Sequence, residues 1–194
     1  MNDEPYRRKR NFNRTPEPSG GRRRSGNTPI FVIQEHDASS HHFDFRLELD
    51  GVLKSWAVPK GPSTDPREKR LAIATEDHPL DYADFEGVIP PGEYGAGTVI
   101  VWDRGPYENI TRKDGKLCSV DSALAAGHLL IWLRGKKLKG GYALQRMDAN
   151  DDEHWLLIKM DDDEADARRN PVSTQPRSVI SGETIASLAK KAKP

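Results

Sequence analysis

The stretch His42-Phe43-Asp44-Phe45-Arg46-Leu47-Glu48-Leu49 decides the fold, because apolar and polar side chains alternate along its whole length. A period of two residues is typical of a β-strand with one face buried. One face carries Phe43, Phe45, Leu47 and Leu49, and the other carries His42, Asp44, Arg46 and Glu48. The stretch therefore predicts a strand whose second face is crowded with ionisable groups.

Similar β-type runs continue on both sides of this strand, separated by clusters of Gly, Pro, Asp and Asn. They cover residues 30–33, 43–49, 52–58, 71–74, 98–102, 129–133, 142–146 and 155–159. Their spacing predicts an all-β sandwich or barrel. Asp50-Gly51 predicts a two-residue hairpin turn, and Asp148–Glu153 a longer polar turn. Helices are expected only at residues 121–126, capped by Asp121 or Ser122, and at residues 183–192.

Composition divides the 194 residues into three parts. Residues 1–27 are rich in Arg, Asn, Pro, Gly and Ser without hydrophobic periodicity, which predicts a flexible basic arm. Residues 28–160 form the folded domain, and residues 161–194 an acidic linker with a short C-terminal helix. The formal net charge is +0, but a basic arm followed by an acidic region favours a polyanionic partner at one end.

The sequence argues against a disulfide-stabilised, a membrane-spanning or a secreted protein. Cys118 is the only cysteine, so no intramolecular disulfide forms and a reducing compartment is expected. The sequence lacks a long apolar run and an ordinary secretory signal. We therefore expect a cytoplasmic protein with no membrane partner.

The polar face of the first strand predicts a metal site. Side chains two residues apart on one strand face lie about 6–7 Å from each other, which lets His42 and Asp44 approach one ion. His36 would supply a third ligand if the preceding strand pairs with this one. Two imidazoles and a carboxylate suit Mn²⁺, Zn²⁺, Fe²⁺ or Co²⁺. The alternation is equally typical of a solvent-facing strand, but two histidines, an aspartate and an arginine without lysine favour a site.

Other ionisable residues allow two interpretations. Lys60, in a rigid Pro-Lys-Gly-Pro loop, and Arg70 are phosphate contacts or ordinary surface cations, and the residues alone favour the second for Lys60. His78 and Tyr82 also allow two interpretations. In one, both side chains act on a bound phosphate; in the other, they belong to a turn in which Tyr82 packs on the core. Spacing slightly favours the turn.

Together these segments resemble the 3′-phosphoesterase family of DNA ligase D. The resemblance is ordered and near-continuous from about residue 30 to residue 105 and looser through Lys159. It rests on residues 31–37, 42–51, 54–62, 76–82, 85–90 and 94–97. Residues 9–12 and 15–18 resemble the family's N-terminal arm, and residues 175–182 resemble the linker that leads into a ligase domain.

The resemblance implies a compact, mainly antiparallel β-barrel with a few short flanking helices. It implies removal of a terminal 3′ ribonucleoside and then of the 3′-phosphate, leaving a 3′-hydroxyl. His36, His42 and Asp44 would be the metal ligands, with Mn²⁺ favoured and Co²⁺ or Zn²⁺ as alternatives. Arg46 and His78 would hold the scissile phosphate, and Tyr82 would support the same site. Lys60 and Arg70 would be additional active-site cations, and Arg10 and Glu17 match functional positions of the arm. Asn11 replaces an aspartate that the family usually has.

The implied partners are DNA or RNA-tailed DNA 3′ ends at a primer–template, and end-joining proteins such as Ku or ligase and polymerase domains. Two other functions stay open. A β-domain that only binds DNA ends would need the basic arm but no metal-dependent turnover. A small-molecule phosphatase would act on mononucleotides without a duplex and would not depend on residues 1–27.

Overall fold

A computed structural model, which describes residues 3–21 and 25–192, contains a closed antiparallel barrel of eight strands. The strands follow the order β1-β2-β3-β4-β11-β10-β9-β6, and β6 pairs back with β1 to close the barrel. Their bounds are β1 Ile30–Asp37, β2 His41–Leu49, β3 Val52–Val58, β4 Lys69–Pro79, β6 Gly97–Asn109, β9 His128–Arg134, β10 Lys139–Asp148 and β11 Asp151–Lys159. The predicted mainly β fold is confirmed, and closure through β1 and β6 selects the barrel over the sandwich.

The remaining elements are short. Strand β5 (Gly87–Ile89) extends the sheet beside β6, and β7 (Arg112–Lys113) pairs with β8 (Lys116–Leu117). The helices are α1 Glu4–Arg8, α2 Val120–Ala125, α3 Pro171–Thr174, α4 Ile185–Lys191 and a 3₁₀ helix at Leu80–Asp84. In the described ranges, no helix combines the length and apolar character needed to cross a membrane.

Two turn predictions have different outcomes. At the β2–β3 hairpin, Asp50 (φ 49°) and Gly51 (φ 82°) both have left-handed conformations, as a two-residue type I′ turn requires. The second hairpin is tighter than predicted, because Asp148 already pairs with Asp151.

The two predicted helices are present. The predicted cap of α2 was wrong: the Ser119 side chain accepts the hydrogen bond from the Ser122 amide. The C-terminal helix α4 lies within its predicted range and is capped by Thr184.

The barrel wall is buried on both faces around β2. Phe43, Phe45 and Leu47 point into the main core, where they are at most 1% exposed. Asp44 and Arg46, on the opposite face, are also buried, because a second apolar cluster covers this part of the wall. That cluster combines the arm and the 3₁₀ helix with outward-facing residues of β1, β3 and β6, including Tyr6, Val32, Leu53, Tyr82 and Val99. The polar face of β2 therefore lies beneath a protein cover on the outside of the barrel.

The N-terminal segment is packed against the barrel, which differs from the flexible arm predicted from composition. Tyr6 is fully buried, and its hydroxyl donates a hydrogen bond to the Pro18 carbonyl oxygen over 2.7 Å. Its ring contacts Phe12, His78 and Tyr82. Isolated apolar side chains without periodicity leave no sequence signal for such docking. The predicted basic run Arg22–Arg24 lies outside the described residues.

The cations of the docked arm, residues 3–21, are neutralised within the chain. Each pairs with a carboxylate, in the pairs Arg7–Asp3, Arg8–Glu4, Lys9–Glu76, Arg10–Glu17 and Arg14–Glu93. The described arm is therefore part of the wall of the site and not a free polycation.

The region predicted as an acidic linker also packs on the barrel. The Trp102 indole donates to the Gln175 carbonyl oxygen over 2.9 Å, and the Val179 amide donates to that of Val101 over 3.0 Å. Thr64 bonds the Asp166 carbonyl oxygen over 2.9 Å. The division of the chain into arm, barrel and linker stays a prediction, but the described parts of all three pack together.

We expect Tyr6→Ala to release the arm, because it removes the side chain that anchors residues 3–21. A loss of about 3 kcal/mol, as for other buried aromatic truncations, raises the undocked population roughly a hundredfold. The measurement is the rate of native-state trypsin cleavage within residues 7–14. Asn13→Ala, at an exposed position of the same segment, is the matched control. Equal cleavage rates for both variants would contradict Tyr6 as the anchor.

Candidate metal centre and phosphate cleft

Pairing of β1 with β2 brings three potential metal ligands together. His36 lies directly opposite His42 in the register, and Asp44 follows two residues later on the same face. The ligand atoms of the three residues all lie within 4.8 Å of one another. Elsewhere in residues 3–21 and 25–192, no further group of three His, Cys, Asp or Glu side chains converges in this way.

Backbone carbonyl groups orient both imidazoles for metal binding. Nε2 of His36 lies 2.9 Å from the Gly95 carbonyl oxygen, and Nδ1 of His42 lies 2.8 Å from that of Ser40. Because a carbonyl oxygen only accepts, both ring nitrogens must carry the proton. The other ring nitrogens, Nδ1 of His36 and Nε2 of His42, face Oδ2 of Asp44 at 3.8 and 3.7 Å. Such outer hydrogen bonds are what a metal-binding histidine needs.

Asp44 is ionised despite being buried. Burial opposes its charge, but the Arg46 guanidinium and the two histidines outweigh that effect and hold the pKa of the carboxyl below its usual range. An ionised carboxylate beside two imidazole nitrogens fits a divalent transition metal. The residues therefore fit the metal that the sequence predicts.

Arg46 is buried and held by four side chains. Its Nε donates to Gln34 Oε1, and its Nη1 lies 2.8 Å from Ser55 Oγ and 3.0 Å from His78 Nδ1. Its Nη2 lies 3.2 Å from Oδ2 of Asp44. Since a guanidinium has five N–H donors, Nη2 retains donor capacity beside the ligand group. The geometry suits an anion bound next to the metal position.

His78 is buried in a positive environment. Burial, then Arg46 and Arg10, lower the pKa of its imidazole well below the ordinary value. Its Nδ1 is 3.0 Å from Arg46 Nη1 and 2.9 Å from the Glu76 carbonyl oxygen. A neutral ring satisfies only one of these neighbours, because the guanidinium donates and the carbonyl accepts. When Nδ1 accepts from Arg46, Nε2 carries the proton.

The arm closes the cleft from above. Arg10 donates to Glu17 over 2.9 Å, and the Tyr82 hydroxyl donates to the same Glu17 oxygen over 3.1 Å. Arg10 also pairs with Glu76 at 3.2 Å. Burial, then Glu17, raise the pKa of Tyr82 well above its usual value, so its hydroxyl stays protonated. The Arg46 guanidinium lies over the Tyr82 ring, 5.0 Å from its centroid.

One cleft of about 290 Å³ gathers most of the residues predicted from sequence. It is lined by Arg10, Glu17, His36, His42, Asp44, Arg46, His78 and Tyr82. Lys60 and Arg70, which the resemblance also assigns to this site, do not line this cleft, and their role stays a prediction. Both line a separate groove, in which Arg70 pairs with Glu68. Arg70 precedes His78 by eight residues of β4, which corresponds to about 25 Å of extended strand.

Three site residues were missed by sequence reasoning. Gln34 lies two residues before His36 on the same face of β1, so the period of two residues in a strand could have found it. Ser55 stands opposite Arg46 in the β2–β3 register, which only pairing defines. Glu76 could not be recognised from sequence, because its ion pairs with Lys9 and Arg10 form only when the arm docks on the barrel. Asn11 is exposed, and its Oδ1 accepts from the Asn13 amide over 3.1 Å.

Comparison with known proteins identifies the family of this site. The family model of the DNA ligase D 3′-phosphoesterase domain matches residues 34–146 of this chain. A multifunctional non-homologous end joining protein LigD of Pseudomonas aeruginosa is 50% identical over 185 residues, which cover 93% of this chain and 21% of that protein. A non-homologous end joining DNA repair protein LigD of Mycobacterium tuberculosis is 46% identical over 156 residues, 80% of this chain and 19% of that protein. The chain thus spans about a fifth of the length of these relatives.

We expect His42→Ala to abolish tight binding of Mn²⁺, because two ligands cannot hold the ion as three can. Calorimetric titration should give an affinity at least about a hundredfold weaker than that of the unchanged chain. His41→Ala is the matched control, since His41 is an adjacent exposed histidine bonded to Glu35 at 2.8 Å. Equal weakening by both variants would contradict the site.

Proposed function

The chain belongs to the DNA ligase D 3′-phosphoesterase family, and we propose that it is a metal-dependent enzyme that repairs blocked DNA 3′ ends. It would remove a terminal 3′ ribonucleoside and then the remaining 3′-phosphate, leaving a 3′-hydroxyl for non-homologous end joining. Manganese is the proposed metal, with Co²⁺ or Zn²⁺ as alternatives.

The observation that carries the proposal is the convergence of His36, His42 and Asp44 beside the buried guanidinium of Arg46. The three ligand atoms lie within 4.8 Å of one another, and Arg46 Nη2 lies 3.2 Å from Asp44 Oδ2. A domain that only binds DNA ends needs surface cations for backbone phosphates. Metal ligands with oriented imidazoles beside a buried guanidinium instead favour phosphoryl chemistry.

In this proposal His36, His42 and Asp44 hold the metal, which when bound would polarise a phosphoryl oxygen and orient a nucleophile. Arg46 positions the scissile phosphate through Nη2, because three neighbours fix the rest of its guanidinium. Its fixed charge offsets negative charge that develops on the phosphoryl oxygens. The Arg10–Glu17–Tyr82 network holds the arm against the cleft and limits the access of water.

We assign His78 the role of a neutral hydrogen-bond donor. Its lowered pKa makes the imidazolium scarce near neutral pH, so electrostatic stabilisation is favoured over proton donation from a charged ring. With Nδ1 accepting from Arg46, Nε2–H donates to an oxygen of the bound phosphate. Arg46 and His78 then act on one phosphate as a coupled pair.

The proposed substrates are DNA and RNA-tailed DNA 3′ ends at a primer–template. Ku and the ligase and polymerase activities of end joining are proposed partners, and a cytoplasmic location stays a prediction. Lys60 and Arg70, outside the main cleft, are proposed to contact phosphates of the DNA only beyond the reacting one. The small-molecule phosphatase is less favoured, because Arg10 and Glu17 of the arm line the cleft.

The decisive experiment measures phosphate release from a primer–template that ends in a 3′-phosphate. We expect release with Mn²⁺, none after chelation, and a loss of at least about a thousandfold in His42→Ala, since an essential metal ligand is removed. His41→Ala should retain activity. No release with any divalent metal from folded protein would favour the DNA-end-binding domain, and equal rates on a 3′-mononucleotide would favour the small-molecule phosphatase.

We expect His78→Ala to lower the rate about a hundredfold, the effect of losing one donor to developing charge. The loss should be the same at about pH 6 and pH 8, because a ring whose pKa lies well below 6.5 stays neutral across this interval. Pre-steady-state rates at saturating Mn²⁺ measure this. His78→Gln, which keeps an N–H donor, should recover part of the rate. A loss that changes about tenfold between these pH values would contradict the neutral-donor role.

A further inference from the structure

We propose that Tyr94 is the stacking platform for the base of the terminal nucleoside that this enzyme removes. This inference rests on the proposed function and adds to it a specific contact with the leaving group. Tyr94 lines the same cleft as the metal ligands and Arg46. It is nevertheless 47% exposed, unlike the buried aromatic residues Tyr6 and Tyr82 of this wall.

The loop that carries Tyr94 is held directly against the metal centre. The next residue, Gly95, provides the carbonyl oxygen that accepts from His36 Nε2 over 2.9 Å. On the other side, Glu93 pairs with Arg14 of the arm at 2.9 Å. Two reverse turns stiffen the loop, with hydrogen bonds from Glu93 to Pro90 and from Ala96 to Glu93. The backbone at Tyr94 is therefore held beside His36, and its side chain lines the same cleft.

Two cations orient the ring from the arm. Lys9 Nζ lies 4.7 Å from the ring centroid and 3.3 Å from the hydroxyl oxygen, and Arg10 Cζ lies 5.2 Å from the centroid. Lys9 and Arg10 are in turn held by Glu76. Despite these contacts, Tyr94 stays 47% exposed in the lining of the cleft. A rigid, partly exposed aromatic ring beside cations is the chemistry that binds nucleobases without sequence preference.

The terminal nucleoside is the unit that gains most from such a ring. Every internal base of a DNA end stacks on both faces, whereas the last base has one face without a neighbour. An aromatic side chain replaces that missing neighbour. A 3′-phosphate terminus has no nucleoside beyond the reacting phosphate. Tyr94 should therefore serve the removal of the nucleoside and not the later removal of the phosphate.

The experiment compares three primer–templates with Mn²⁺, using the full chain. One primer ends in a 3′ ribonucleoside, the second in the same ribose without a base, and the third in a 3′-phosphate. The quantity measured is the ratio of kcat/KM for nucleoside release with the base to that without it. We expect a ratio of roughly ten for the unchanged chain, the effect of one stacking contact. Tyr94→Ala should bring the ratio close to one, and Tyr94→Phe should preserve it.

Each possible outcome of this experiment either supports or contradicts the role of Tyr94. A ratio close to one in the unchanged chain overturns the inference without relying on any variant. A ratio lost equally in Tyr94→Phe also overturns it, because the hydroxyl and not the ring would then be responsible. If the third primer releases phosphate but the first two show no effect of the base, the Tyr94 inference is contradicted and the proposed function is not. Absence of turnover on all three primers contradicts both the proposed function and the Tyr94 inference. Trypsin cleavage of residues 7–14 verifies that the arm stays docked in the variants.

Discussion

The buried guanidinium of Arg46 is the interaction on which the rest of the site depends. Moving a charge into a protein interior costs several kcal/mol unless neighbouring groups compensate. Here Asp44 supplies the opposite charge, and Gln34, Ser55 and His78 take up N–H groups. The same arrangement keeps Asp44 ionised and His78 neutral. Arg46 thus lowers the pKa of the Asp44 carboxyl and, after burial, contributes to the lowered pKa of His78.

This compensation requires the barrel wall to be covered on its outer face. The strands β1 and β2 provide the ligands and Arg46, but the cover comes from the 3₁₀ helix and the docked arm. The arm contributes Glu17, whose carboxylate accepts from both Arg10 and Tyr82. Its described cations are paired with carboxylates, which explains how a locally basic segment packs on a protein surface. The described arm, residues 3–21, therefore forms part of the wall of the cleft.

The metal position and the mouth of the cleft are connected through one short loop. The Gly95 carbonyl group orients His36, and the neighbouring Glu93 and Tyr94 contact the arm. Gly95 has a φ of 74°, a conformation that favours glycine, and a Cβ there would lie 3.7 Å from the His36 ring. Orientation of a metal ligand and placement of an exposed aromatic side chain consequently depend on the same backbone. The proposed base platform and the candidate metal ligands are therefore structurally linked.

The sequence by itself determined the strands and the polar face of β2, because side chains alternate with a period of two in any strand. Alternation thus indicated that His42, Asp44 and Arg46 share a face. Resemblance to the family supplied the roles, including those of Arg10 and Glu17. Tertiary structure alone decided that Ser55 meets Arg46, that Tyr6 docks the arm, and that Lys60 and Arg70 line a different groove. These facts depend on strand register and on packing between distant segments, which local periodicity does not encode.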